Sequence, residues 1–155
     1  MNLPHPPFNL SPTTEMKGED EQETKELFEM LNIANDYLRS FDWCSEVERT
    51  FIGIGIGKVI AVFLFGLKKK KDVDDWLWVV VGDVPSAYLV LDEASDAVSA
   101  LKVYCRVMED WVIAVKTKSD LSKVFPVNVP ADAKYAEMLQ KRIDFIREKI
   151  IPEFS

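Results

Sequence analysis

The chain has 155 residues, of which 48% are apolar and 29% are charged, and its net charge is −7. This balance is typical of one soluble globular domain that needs neither a metal ion nor a disulfide to hold its core. Such an acidic protein repels phosphate backbones, so nucleic-acid binding is disfavoured, while a basic partner would be attracted. The two cysteines, Cys44 and Cys105, are far apart and indicate reduced structural thiols.

The first eighteen residues hold four of the eight prolines and the only histidine, His5. Because proline removes backbone donors and disfavours helix before it, we predict a flexible arm over 1–18 and a single domain over 19–155. The start of the chain lacks a basic stretch followed by an apolar one, so it is not typical of a secretory signal. The longest apolar run, 59–67, is too short to span a bilayer, and we expect a cytoplasmic protein without membrane contact.

Apolar periodicity predicts an α+β fold with three helices and a four-stranded antiparallel meander. The helices are predicted over about 20–40, 95–117 and 132–151, with Asp92 or Ser95 as the N-cap of the second and Pro152 as the stop of the third. The strands are predicted over about 48–56, 58–67, 75–81 and 87–91. A tight turn at Gly57-Lys58 would join the first two strands into a hairpin, and a five-residue loop over 82–86 would join the last two, which we call the central hairpin.

Two features of the predicted strands bear on packing. Gly53 and Gly55 alternate with isoleucine, which indicates one sheet face stripped of side chains for close contact, and no helix follows as a phosphate-binding loop would require. The segment 76–81 is apolar at every position, with Trp76 and Trp78 on one face and Leu77 on the other. Both faces are therefore expected to be covered, or one face meets a partner.

Catalytic chemistry has few candidate residues in this sequence. With His5 as the only histidine, Ser-His-Asp or Cys-His catalysis and a His-ligated zinc site are disfavoured, and we expect no cofactor. Asp83 in the central turn and Asp92 after the fourth strand remain as a carboxylate pair, which hydrolytic chemistry requires at about 5 to 10 Å. The simpler interpretation is that Asp83 is a turn residue and Asp92 a helix cap.

The segment from Trp78 to Tyr88, WVVVGDVPSAY, resembles a W-x-x-x-G-D-[LV]-P-[ST]-x-Y pattern found in small uncharacterised bacterial proteins of unknown function. The likeness extends from Trp76 through the helix that bears Trp111 and the Val124-Phe125-Pro126 stretch, about half of the chain. It implies a small cytosolic bacterial protein and carries over no catalytic residue. Some acidic α+β proteins of this general type are immunity proteins of toxin systems.

We therefore expect a non-enzymatic protein-interaction module, most concretely an immunity-type inhibitor of a basic toxin domain. The predicted partner-binding residues are the aromatics and carboxylates of the central hairpin and the acidic run before it: Trp76, Trp78, Asp83, Tyr88, Asp72, Asp74 and Asp75. The alternative is a small-molecule binder or weak hydrolase that uses Asp83 and Asp92. A homodimer through the second sheet face is compatible with either role.

Overall fold

The structure, a computed structural model, describes residues 10–44, 46–68 and 76–155. Its strands form one antiparallel sheet in chain order: β1 (Ser11–Pro12), β2 (Val47–Ile56), β3 (Ile60–Leu67), β4 (Trp76–Gly82) and β5 (Val84–Val90). Its helices are α1 (Glu21–Arg39), α2 (Ala97–Lys116) and α3 (Ala133–Phe145). The predicted α+β class and antiparallel meander are confirmed, whereas the predicted number of strands was one too few.

Contacts divide the chain into an N-terminal unit, Met1–Ala100, and a C-terminal unit, Leu101–Ser155. The expectation of a single domain over 19–155 stays a prediction.

The additional strand lies in the segment that we predicted to be a flexible arm. Pro12 pairs with Phe51 of β2, and the Thr13 hydroxyl hydrogen-bonds to that of Thr50. Met16 is buried in the core. Proline is tolerated here because β1 is an edge strand, where the N–H that proline lacks is not needed for a hydrogen bond to a neighbouring strand. The segment from residue 10 onward is therefore packed on the domain, although its proline content predicted a flexible arm. Residues 1–9, which include His5, lie outside the described residues.

Helix α1 covers one face of the sheet. It begins where the Asp20 carboxylate accepts a hydrogen bond from the Glu23 N–H at 2.8 Å, which satisfies one of the free donors of the first turn. Its buried positions recur at helical spacing, as predicted, and pack with the alternate side chains of β3 and β4: Leu27, Met30, Ala34, Leu38, Phe63, Phe65, Leu77, Val79 and Val81.

The opposite sheet face is also buried. Trp78 is fully enclosed, and its indole Nε1 donates to the carbonyl of Ala94 at 2.9 Å. Asp96, rather than the predicted Asp92 or Ser95, caps α2 by accepting from the N–H of Ser99 at 2.7 Å. Strands β3 and β4 therefore follow the continuous apolar pattern of a sheet covered on both faces.

The glycines of β2 do not form a single stripe. A Cβ on Gly53 would meet Ala97, whereas a Cβ on Gly55 would meet Leu27 of α1 on the other face. A register shift between Ile52 and Ile54 inserts an extra residue into β2. The alternation of side chains is interrupted there, so Gly53 and Gly55 lie on opposite faces of the sheet. The expectation of one bare face was wrong because strict alternation assumes an unbroken register.

Both hairpin turns differ from the prediction. In the first, Lys58 rather than Gly57 adopts the left-handed conformation (φ +65°), and β3 begins at Ile60. In the second, the predicted five-residue loop is a single residue, Asp83, between β4 and β5. Gly82 makes this possible with φ +147°, a region that other residues rarely adopt.

The C-terminal unit contains the larger part of α2 and all of α3. The apolar faces that the periodicity predicts for these helices are largely buried, including Leu101, Cys105, Met108, Ile143 and Ile146. Pro152 does not end the last helix as predicted. A π-helical turn, Ile146–Ile150, follows α3 and leads into a short helical segment, Ile151–Phe154, which begins just before the proline. Proline has no N–H to continue the regular bonding pattern, so its place in a new first turn is favourable.

Candidate functional site

A group of large apolar side chains lies partly exposed on the N-terminal unit. We call it the aromatic patch and define it by Ile33, Tyr37, Phe41, Trp43 and Tyr88. Ile33 is 53% exposed and lies one helical turn before Tyr37, on the same side of α1. The other members retain intermediate exposure. Tyr37, Trp43 and Tyr88 also pack against the hydrophobic core, so the patch is a partly exposed margin of that core and a candidate binding surface.

Local hydrogen bonds build the patch at the end of α1. The Phe41 N–H donates to the carbonyl of Leu38 at 3.2 Å and so extends the last helical turn. The Cys44 N–H then donates to the carbonyl of Phe41 at 3.1 Å and closes a four-residue turn. This turn holds Phe41 and Trp43 beside one another, while the intervening Asp42 is exposed.

The four rings contact one another with Phe41 and Tyr88 at the centre. Phe41 stacks on Trp43 with centroids 5.3 Å apart and an interplanar angle of 18°. Tyr88, from β5, meets Phe41 and Trp43 edge-on at 5.3 and 5.1 Å. Tyr37 meets Phe41 edge-on at 5.2 Å. These distances are those of favourable aromatic pairs, so the patch is a preformed surface with rings already in contact rather than an open cage.

The environment of Tyr37 shows that this surface is only partly hydrated. Burial and the neighbouring Tyr88 hydroxyl raise the pKa of Tyr37 to about 12, although a hydrogen bond from the backbone of Tyr88 acts in the opposite direction. The phenol therefore stays neutral at physiological pH. A neutral hydroxyl at the edge of an apolar surface can donate or accept a hydrogen bond across an interface.

The structure separates the partner-binding residues that the sequence predicted. Trp76 is 3% exposed and Trp78 is fully buried, so neither indole is offered at the surface. Asp83 is exposed in the β4–β5 turn, about 17 Å along β5 from Tyr88 at a rise of about 3.3 Å per residue. Only Tyr88 belongs to the aromatic patch. The acidic run Asp72, Asp74 and Asp75 lies outside the described residues.

The carboxylate pair considered for hydrolysis is not assembled. Asp83 precedes β5 and Asp92 follows it, and seven residues of extended strand separate them. That strand spans about 23 Å, well beyond the separation that two cooperating carboxylates require. The weak-hydrolase alternative, which rested on this pair, therefore has no geometric support.

A second polar cluster lies in the C-terminal unit. The Glu109 carboxylate accepts hydrogen bonds from Arg147 at 2.8 Å and from Gln140 at 3.0 Å, which lower the pKa of Glu109. Cys105 lies nearby, and burial raises the pKa of its thiol to about 11. A buried, protonated thiol is a poor nucleophile. The cluster therefore acts as a tie between α2 and the π-helical turn.

Within 10–44, 46–68 and 76–155 no group of three or more histidine, cysteine or acidic side chains is arranged to hold a metal ion. No helix in those same ranges is long and apolar enough to cross a bilayer. The chain matches no protein-family model, and no curated protein or solved structure gave a match. The resemblance to the small bacterial proteins therefore stays a prediction.

Sequence reasoning missed most of the aromatic patch. The first predicted helix, about 20–40, ended before Phe41, and neither Phe41 nor Trp43 was among the predicted partner-binding residues. The available signal was the pair of large aromatic residues on either side of Asp42 in a short connector. Connectors run over the surface, so aromatic residues there are more informative than those within strands.

Proposed function

We propose that this chain is a non-enzymatic protein-interaction module whose partner docks on the aromatic patch. The observation that carries the proposal is the partly exposed cluster of Tyr37, Phe41, Trp43 and Tyr88, extended along α1 by Ile33. Tryptophan and tyrosine dominate binding hot spots because they bury large area at low entropic cost. Since the rings already pack against one another, little further ordering is needed on binding.

Charge indicates which kind of partner this surface favours. The N-terminal unit contains nine lysines and arginines and eighteen acidic residues, a net charge of −9, whereas the C-terminal unit has ten and eight, a net charge of +2. The patch lies on the acidic unit. Long-range attraction would therefore steer a basic protein toward it. The most concrete form of this function is an immunity-type inhibitor that covers a basic toxin domain.

Two isoleucines provide a matched test. Ile33, in the patch on α1, and Ile113, on α2, are both 53% exposed within helices. Replacing Ile33 with lysine places a like charge against a basic partner, while Ile113→Lys makes the same chemical change in the other unit. In affinity purification from the host under mild lysis at low salt, Ile33→Lys should lose the wild-type partner and Ile113→Lys should retain it.

Two results would contradict the proposal. Recovery of the wild-type protein alone under those conditions would show that it has no stable partner. Equal retention of the partner by both variants would show that the partner does not bind at the aromatic patch. A partner captured by the wild type should also be basic and should dissociate as salt is raised, because interactions between exposed charges are screened.

A further inference from the structure

The stacked pair Phe41 and Trp43, with Asp42 between them in sequence, is a candidate binding site for an organic cation. The two rings are nearly parallel, and the turn Phe41–Cys44 fixes them at the surface of the acidic unit. Asp42 lies between them in sequence and is exposed, and its carboxylate forms no ion pair with any described residue. Partly exposed aromatic rings and an exposed carboxylate are the two features that attract an organic cation, and here they occupy three consecutive positions.

The same protein contains one occupied example of this chemistry. The Arg49 guanidinium lies 5.0 Å from the ring centroid of Phe51 and 5.7 Å from that of Trp76. In the part of the chain that the structure describes, no such cation lies over Phe41 or Trp43. Among the described residues, the first site therefore contains its own cation and the second does not.

Guanidinium suits this second site better than ammonium. It is planar, so it can stack on an aromatic face while its N–H groups bond to a carboxylate, and it is less strongly hydrated than the lysine ammonium. We propose that an arginine side chain of the basic partner stacks on the Phe41–Trp43 pair and bonds to Asp42. This inference rests on the proposed function, and it names the group that the aromatic patch recognises.

Trp43 permits a direct measurement. All four tryptophans belong to the described residues, and Trp76, Trp78 and Trp111 are buried, which leaves Trp43 as the partly exposed indole. A glycine-spaced arginine peptide titrated into the full chain should shift the indole N–H resonance of Trp43 and leave the other three in place. The matching lysine peptide should bind more weakly.

Three variants test the arrangement. Trp43→Leu should weaken binding of the arginine peptide about two- to fivefold, the range expected for an exposed cation–π contact, and Trp43→Tyr should restore most of it. Asp42→Asn should weaken binding to a similar extent. Their unfolding midpoints in urea identify any loss caused by unfolding. Ile113→Lys, in the other unit, should leave peptide binding unchanged.

Equal binding of arginine and lysine peptides, or an unchanged affinity in both Trp43→Leu and Asp42→Asn, would overturn the inference. That failure is distinguishable from failure of the proposed function. If the cellular partner is lost in Ile33→Lys while the peptides show no selectivity, the patch binds a partner by other chemistry. If the peptides bind at Trp43 while no cellular partner is captured, the arginine site stands and the proposed function fails.

Discussion

The central hairpin, formed by β4 and β5, and the aromatic patch both contain large aromatic residues, but these residues have different roles. Trp76 and Trp78 are enclosed within the sheet layer, whereas Trp43 and Tyr88 remain partly exposed. The hairpin indoles occupy a strand that is apolar on both faces, and the patch indole occupies a turn after a helix. Local backbone context, rather than aromatic content, therefore decides which rings stabilise the fold and which are available to a partner.

The largest expected effect separates these two roles directly. Trp78→Ala removes a fully buried side chain and leaves a cavity, so it should lower the free energy of unfolding by about 3–5 kcal/mol. Trp43→Ala removes a ring that is already partly hydrated and should cost about 1–2 kcal/mol, since part of its area is not buried on folding. Urea denaturation of both variants measures the difference, and equal losses would break the distinction between core and patch.

The second effect concerns the turn that sets the register of β5 and so places Tyr88 in the patch. Gly82→Ala would put a Cβ 2.3 Å from the carbonyl oxygen of Val59, at φ +147°. Because backbone cannot move aside easily, we expect a loss of about 2–4 kcal/mol in urea denaturation. At Gly57 the three atoms nearest to the added Cβ belong to the flexible side chains of Glu23 and Glu26.

Gly57→Ala is therefore the matched control, with a smaller expected loss. A Gly82→Ala protein that is as stable as Gly57→Ala would show that the β4–β5 turn is not constrained as the structure indicates.

The sequence predicted the parts of this fold that depend on long periodic patterns. The three helices and the antiparallel order of the strands follow from apolar spacing. Departures arose where a single residue changes the backbone: the extra residue near Gly53, the one-residue turn after Gly82, and Pro12 in an edge strand. Such features depend on pairing between distant segments, which local periodicity does not contain.

The aromatic patch was unpredictable for a related reason. Tyr37 and Tyr88 are 51 positions apart, and only the packing of α1 on the sheet brings their rings within 6.4 Å. The sequence marked Tyr88 as a candidate but grouped it with Trp76 and Trp78, its neighbours along the chain. Sequence proximity therefore selected residues that lie on opposite sides of the boundary between core and surface.

A third effect compares the two buried indoles with each other. The Nε1 of Trp78 donates to the Ala94 carbonyl, whereas the buried Nε1 of Trp76 has no hydrogen-bond partner among the residues that the structure describes. Replacement by phenylalanine removes a similar volume at both positions, but at Trp78 it also leaves the Ala94 carbonyl unpaired, which costs about 1–3 kcal/mol. At Trp76 it removes an unsatisfied donor and should be closer to neutral.

Trp78→Phe should therefore be the less stable variant by about 1–3 kcal/mol in the same denaturation experiment. Equal stability of the two variants would mean that burial alone, without the polar contact, determines the contribution of these indoles.

The smallest effect tests the patch through the hydroxyl of Tyr37. The pKa of Tyr37 is raised from 10.0 to about 12, chiefly by burial, so the folded state holds its proton more tightly than the unfolded chain does. This contribution to stability is complete below pH 10 and is lost as the pH rises through about 12. Because the ring is only partly buried, solvent screening reduces the size of the effect.

Cys105 has a pKa raised to about 11, so its thiol contributes a loss of stability in the same pH range, and the wild-type profile alone is insufficient. The measurement is therefore the difference between wild type and Tyr37→Phe in urea midpoint across this range. The wild type should lose more stability than the variant as the pH rises. Parallel profiles would show that the Tyr37 hydroxyl is as hydrated in the folded protein as in the unfolded chain, and the patch would then be a fully open surface rather than a partly dry one.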